Sequence, residues 1–487
     1  MIEINFDNKK RLGILSGDLF NEIREHFSVK NESAMFMRRY GRFLPQRTYA
    51  ITPTGRFEPG LYVEIKKFIT TNQYAQKLNM HDDFVREIMP SKERWLHNPL
   101  FNFDESKLAL PLRDYQKEIV DKALKIGRGT IVLATAGGKT LTAASLLSKI
   151  YEINNKLKCL YIVPDLGLVE QTYKDFESYN VKFCTNKWTG NNPLTENHDK
   201  CNVIVANLGI LQSKNSDVSW IEDIDVLVID EVHKLRKGNE VNKLLKKIKT
   251  PVRFGFTGTM PENLLDQWNI IGKIGPIIYE KSSYQLRLEN FVSNVTAVVC
   301  QLKYKEKPKY PDTNYNATDK YRTETEFLIK NKFRNNFISK AVSKINKNTL
   351  ILIDYIEHGQ ILEQTLKLNL PDKQIYFIRG EVEVEEREKI KNLMEISDNI
   401  VVVAISKIFS TGINIKNLHY IVFAGGGKAK IKILQSIGRG LRLHKDKDKL
   451  IIIDIADALL YGDQHFLKRK QLYEKENISY QIKEIQE

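Results

Sequence analysis

A chain of 487 residues has the length of about three domains at roughly 150 residues apiece. Its 75 Lys and Arg outnumber 60 Asp and Glu, a formal net charge of +15. That surplus suits a polyanionic partner, although an AT-rich genome, which enriches Lys, Asn and Ile, gives the same balance. The four cysteines form no CxxC or Cys/His cluster, which argues against a structural zinc and a disulfide framework. No apolar run reaches about 18 residues, and the opening MIEINFDNKK has no secretory pattern. The expected location is the cytoplasm, with no membrane partner.

Residues 1–105 hold few continuous strand runs and more aromatic and mixed-charge sequence, so they read as a small α+β domain. Within 38–67, Arg38, Arg39, Arg42, Arg47, Arg56, Lys66 and Lys67 stand against only Glu58 and Glu64. Tyr40, Phe43, Tyr49, Phe57 and Tyr62 interleave with them. Bases alternating with aromatics suit a patch that binds duplex or junction nucleic acid; a solvated strand face over an aromatic core has the same pattern.

Further along, short β-rich apolar runs alternate with amphipathic segments. GTIVLAT precedes LTAASLLSKIYE, CLYIVP precedes LVEQTYKDFESY, and VIVAN, VLVIDE and VRFGFTG follow. A second series, from about 349, comprises TLILIDY, IYFIRG, IVVVAIS, YIVFAGG and KLIIIDIAD. Strands apolar on both faces and separated by helices predict parallel sheets covered by helices, here two of them. The expected domains are 1–105, 106–287, 288–460 and a charged helical tail, 461–487. The polar, proline-bearing 303–326 reads as a long loop or insertion.

ATAGGKT (134–140) lies between a strand and a helix. Such a turn converges backbone N–H groups of Ala136, Gly137 and Gly138 on phosphate oxygens, and the helix adds its positive end. Lys139 would reach the β- and γ-phosphates, and the Thr140 hydroxyl would hold Mg²⁺. The general pattern places a glycine at 133, where this chain has Leu133. VLVIDEVH (226–233) then delivers Asp230 and Glu231 from the end of a buried strand, where open α/β sheets bind ligands. Asp230 suits Mg²⁺ coordination and Glu231 suits orienting or deprotonating the attacking water. Upstream, Gln116 in LRDYQ could read an adenine edge; a Gln at a helix start also serves as a cap.

The second series has no GK[ST] loop of its own. QSIGRGLR (435–442) places Gln435, Arg439 and Arg442 on one helical face. An arginine supplied from a neighbouring domain stabilises charge on a γ-phosphate, worth about 10³–10⁵ in rate; paired surface arginines are the alternative.

ATAGGKT, DEVH, TGT (257–259), STGINI (410–415) and QSIGRGLR, in this order and spacing, resemble the superfamily 2 DExH helicases. Residues 401–444, PGLYVEIKKF (59–68) and RGEVEVEEREKIK (379–391) resemble the recombination and branch-migration helicases of T-even phages within it. The resemblance implies two RecA-like domains in tandem behind the N-terminal domain, with ATP and Mg²⁺ bound between them. It implies an adenine-reading Gln116 and phosphate and metal roles for Lys139, Thr140, Asp230 and Glu231. His233 would sense the γ-phosphate by bonding Gln435, Thr257 and Thr259 would couple hydrolysis to domain movement, and Thr411 and Gly412 would touch nucleotide and strand. Arg439 and Arg442 match the fingers. Asn414 stands where many relatives have an aspartate for the ribose, and Asp165 where many have a threonine at the strand.

The implied activity is that of an ATP-dependent DNA helicase or translocase, monomeric, acting on single-stranded and branched DNA in a host cytoplasm. An RNA helicase of the same superfamily and a strand-annealing protein with a vestigial ATPase are the alternatives. Intact Lys139, Glu231 and Arg439 argue against the second.

Overall fold

The computed structural model describes residues 1–31, 45–72, 78–95, 108–194, 200–213, 218–236, 238, 241–310, 317–379, 384–406, 415, 417–425 and 449–487. By contacts the chain divides into two compact units. One is Met1–Leu133 with Gly138–Lys281, and the other is Ala134–Gly137 with Ser282–Glu487.

In the first unit the N-terminal strands are β1 (Ile2–Asp7), β2 (Leu12–Gly17), β3 (Ser28–Lys30), β4 (Arg47–Tyr49), β5 (Arg56–Phe57) and β6 (Leu78–Met80). They form a mixed sheet in the order β5-β2-β1-β6 and a separate β3-β4 pair. The alternating burial of β1 puts Ile2 and Ile4 inside, as period-2 side-chain direction requires. Phe27, Phe57, Ile65 and Phe84 complete this core, and Trp268 packs against it. Trp268 belongs to the helix Leu264–Lys273, and its ring centroid is 5.2 Å from that of Phe27. The approach is close enough that a Cβ on Gly60 would lie 2.0 Å from the Ile271 carbonyl oxygen. The N-terminal residues therefore have their own sheet yet are seated on the helix Leu264–Lys273.

The remaining strands of this unit are β7 (Arg128–Leu133), β8 (Cys159–Val163), β9 (Thr185–Trp188), β10 (Val203–Asn207), β11 (Val226–Ile229), β12 (Arg253–Thr257) and β13 (Ile277–Lys281). They make one parallel sheet, β13-β7-β12-β11-β8-β10-β9. RGTIVL, CLYIV and VLVI are buried at every position, the signature of strands covered on both faces. Because β7, β12 and β11 are neighbours spaced about 4.8 Å apart, the loops leaving their C-terminal ends are brought side by side.

The second unit holds β14 (Asn294–Lys303), β15 (Thr349–Ile353), β16 (Gln374–Ile378), β17 (Ile400–Ile405), β18 (Tyr420–Phe423), β19 (Lys449–Asp457) and β20 (Ser479–Gln486). They form a second parallel sheet, β16-β17-β15-β18-β19-β14-β20. The fold is thus α/β, two parallel sheets in tandem after a small α+β region.

Two expectations need correction. The tail 461–487 is not wholly helical. A helix spans Leu460–Lys475, and β20 then joins the sheet edge beside β14. Its side chains are mostly exposed, so the main-chain ladder, not an apolar pattern, places it. Within 303–326, Ala317–Lys330 is a helix. Thr323 and Thr325 back-bond to the carbonyls of Asp319 and Tyr321 along it.

Candidate active site

The candidate phosphate loop follows β7 and opens the helix Lys139–Ile153. Two residues take left-handed backbone, Ala136 at φ 65° and Gly138 at φ 81°. Alternation of that kind makes a concave run of N–H groups, a nest for an anion. At Gly138 a side chain is excluded twice, by its φ and by Gln116 Nε2, which would lie 2.3 Å from a Cβ. The Gly138 carbonyl accepts from Thr142 N and Thr142 Oγ1, both at 3.0 Å, and from Gln116 Nε2 at 3.3 Å. The exit of the loop is therefore pinned from three sides.

Gln116 is 2 % exposed. Its Oε1 accepts from Arg113 N at 2.9 Å, closing a capping box at the start of the helix Asp114–Ile126. Of its two sequence readings the capping one is realised. The same amide holds the phosphate loop, a link that sequence could not give.

Lys139 Nζ lies 3.5 Å from the Leu133 carbonyl oxygen and 3.7 Å from Glu231 Oε1. Both side chains are mostly buried, at 11 % and 18 % exposure, where a charge pair is stronger than in bulk water. Glu231 sits at φ 51°, an unfavourable backbone for a residue with a Cβ, at the entry to a short 3₁₀ turn, Val232–Lys234. Asp230 Oδ1 accepts from Glu231 N at 2.8 Å, and Asp230 N donates to the Ile162 carbonyl at 2.8 Å. The acid pair is thus fixed at the strand end by its own main chain.

His233 Nδ1 is 2.9 Å from Thr257 Oγ1 and 3.2 Å from Glu231 Oε2. Thr257 Oγ1 donates its own proton to the Thr259 carbonyl at 2.9 Å, so it accepts from histidine. That places a ring proton on Nδ1. Thr257 is fully buried, whereas Thr259 is exposed and contributes through its carbonyl.

The structure thus brings together Gln116, Gly138, Lys139, Glu231, His233, Thr257 and Thr259, with Thr140 half-buried one residue into the helix and Asp230 beside Glu231. Thr411, Gly412, Gln435, Arg439 and Arg442 lie outside the described residues, as do Asn414 and Arg38, Arg39, Tyr40, Arg42 and Phe43 of the basic–aromatic stretch. Asp165 caps the helix Leu166–Ser178 by accepting from Leu168 N at 3.1 Å. Sequence reasoning passed over Thr142. Its position one turn after Gly138 was the available signal.

Two family models match the chain: "Type III restriction enzyme, res subunit" over residues 109–262 and "Helicase conserved C-terminal domain" over 332–444. The chain is a superfamily 2 helicase. The helicase is 27 % identical to the ATP-dependent DNA helicase uvsW of Enterobacteria phage T4, covering 96 % of this chain and 95 % of that one. It is 25 % identical to the DNA 3'-5' translocase XPB2 of Sulfurisphaera tokodaii over 80 % of this chain and 94 % of the relative. Among solved structures, the ATP-dependent Type ISP restriction-modification enzyme LlaBIII bound to DNA aligns with a TM-score of 0.58 at 15 % identity. That alignment covers 85 % of this chain and 34 % of that one, and speaks to the fold alone. The family is one of ATP hydrolases, and the two parallel sheets, each overlapping one helicase family model, are RecA-like domains in tandem.

Proposed function

We propose that this helicase is a DNA-directed motor that acts on branched DNA such as forks, D-loops and four-way junctions. The observation that carries the chemistry is the convergence of Lys139, Glu231, His233 and Thr257 from three neighbouring strands. The choice of DNA is supported by the similarity, over nearly the whole chain, to the T4 DNA helicase.

In this reading the loop amides from Ala136 to Gly138 and the Lys139 ammonium bind the β- and γ-phosphates, and Glu231 orients the attacking water and accepts its proton. Its left-handed backbone and its contact with His233 fix the carboxylate before substrate arrives, so little reorganisation is required. Thr140 and Asp230 offer the oxygen donors that suit Mg²⁺, which usually keeps water and phosphate among its ligands. The donor set fits: a hydroxyl at the start of the loop helix and a carboxylate at the neighbouring strand end are both hard oxygen donors. Bound there, the ion would neutralise charge on the phosphate oxygens. Arg439 and Arg442 supply the fingers. The His233–Thr257–Thr259 chain transmits the state of the site to the segment after β12. Single-strand contacts would run through backbone amides and hydroxyls, which is sequence-tolerant.

The test is ATPase and strand-separation activity over single-stranded, duplex, forked and four-way DNA, with RNA alongside. Highest turnover and unwinding on forked or four-way DNA is expected; equal stimulation by RNA would return the assignment to an RNA helicase. Arg439→Ala is expected to slow hydrolysis at least 10³-fold while nucleotide binding persists.

A further inference from the structure

The first parallel sheet has a second charged end, opposite the nucleotide loop. β7 begins at Arg128 and β12 at Arg253, and both guanidinium groups are buried at 1 % and 7 % exposure. Arg128 donates to the carbonyls of Ile274 (3.0 Å), Glu87 (3.0 Å) and Lys273 (3.2 Å), and to Glu87 Oε1 at 3.2 Å. Among the described residues Arg253 donates only to carbonyls, those of Thr250 (2.9 Å), Lys273 (3.1 Å) and Ile248 (2.7 Å). Neutral acceptors satisfy hydrogen bonds but leave the buried charge uncompensated.

The carboxylates nearby are already engaged. Glu87 pairs with Arg11 as well as Arg128, and Glu58 pairs with Lys273. A cavity of about 280 Å³ opens here, lined by these five charged side chains and Arg253. Lys9, Lys10 and Lys246 stand exposed around it. The lining therefore holds seven cationic side chains against two carboxylates, with Leu12, Pro59, Leu245 and Ile248 as its apolar part. Burial and the neighbouring Arg128 push Arg253 down to about 10. Burial lowers Lys273 too, with Lys246 and Arg253 adding to the effect and Glu58 opposing it. Burial leads both shifts, and the excess of cations in the lining is what the geometry adds to it. Among the described residues, Arg11 Nε is also a buried donor with no hydrogen-bond partner.

We propose that this cavity is a second anion site, built to take phosphate groups and separate from the nucleotide site. Its volume is that of about nine waters, room for a short oligophosphate. The six residues of β7 span roughly 17–20 Å, so one nucleotide cannot fill both ends of the strand. The phosphate has two sources, a free oligoanion or the backbone of a nucleic acid lying across the three exposed lysines.

The test is calorimetric titration of inorganic pyrophosphate into the whole chain at constant ionic strength, with Lys139→Ala protein in parallel to remove capture at the nucleotide loop. A binding step that survives Lys139→Ala and weakens at least tenfold in Lys9→Ala/Lys10→Ala/Lys246→Ala is expected. These three lysines are exposed, so their loss leaves the core intact. Absence of a Lys139-independent step, or unchanged affinity in the triple variant, overturns the proposal. Fluorescence anisotropy of labelled duplex DNA separates the sources. Displacement of duplex by pyrophosphate from the wild type but not from the triple variant assigns the backbone. Pyrophosphate binding without displacement assigns the free anion. Either result upholds the site.

Discussion

β7 runs into the helix Lys139–Ile153, and β15 runs into the helix Ile356–Asn369, each from an interior position of its own seven-stranded parallel sheet. The first junction passes through Ala136 and Gly138 in left-handed backbone. The second enters its helix through Tyr355 in ordinary extended geometry, φ −126° and ψ 138°. Only the first gathers successive N–H groups into a concave cradle. The charges differ in the same sense. Lys139 and Glu231 stay 3.7 Å apart and partly accessible. In the second unit, Arg334 and Asp457 meet at 2.8 Å with 1 % and 3 % exposure, and Tyr304 adds a hydrogen bond to the same carboxylate at 2.5 Å. The first pair stays partly open, as its proposed role requires, while the second is closed in the interior. The same strand–turn–helix architecture therefore does not by itself make an anion nest; a few residues of loop backbone do.

Substitutions can break this contrast. Glu231→Gln is expected to reduce steady-state ATP turnover at least 10³-fold, about 4 kcal/mol in barrier, with the urea midpoint nearly unchanged. A large loss of stability in that variant would mean the acid is structural. Arg334→Met should do the reverse. It leaves Asp457 buried and unpaired, and costs about 3–5 kcal/mol, read as an earlier unfolding transition of the second unit by urea or heat. Thr257→Val removes the acceptor that orients His233, and turnover is expected to fall about tenfold, roughly 1.4 kcal/mol, without a matching loss of ATP binding. The smallest effect belongs to the surface. Lys347 bonds Asp398 at 2.7 Å and holds its carboxyl below the usual range. The pair's contribution is complete above the unfolded carboxyl value and disappears as pH falls through the lower folded one. At half exposure it is worth about 0.2–1 kcal/mol, so Asp398→Asn should change the urea midpoint slightly at pH 7 and hardly at all at pH 2.

The residues of ATAGGKT and DEVH were legible because each group is contiguous in the chain and each follows an unbroken apolar strand. The ten apolar runs read as strands in the two series are all strands. β20 was not legible. SYQIKEIQ is mostly exposed on the sheet edge, so its partner and not its composition decides its conformation. Arg128 and Arg253 were missed for a related reason. Apart from the Glu87 carboxylate, their acceptors are carbonyls of Glu87, Ile248, Thr250, Lys273 and Ile274, and a carbonyl carries no residue identity that a sequence could reveal. Gln116 shows the intermediate case. Its presence near the loop was readable, but not that its amide caps one helix while holding the start of another.

The placement of β14 has a consequence for synthesis. Asn294 pairs with Lys449 and Thr296 with Ser479, so both neighbours of this strand emerge from the ribosome long after it does. The first sheet takes its strands from 128–281 and is free to assemble during that wait. Contacts so distant in sequence form slowly, and an apolar strand awaiting its partners is exposed to aggregation. The translation of the intervening stretch, together with chaperone capacity, thus governs how much of the helicase reaches its finished state.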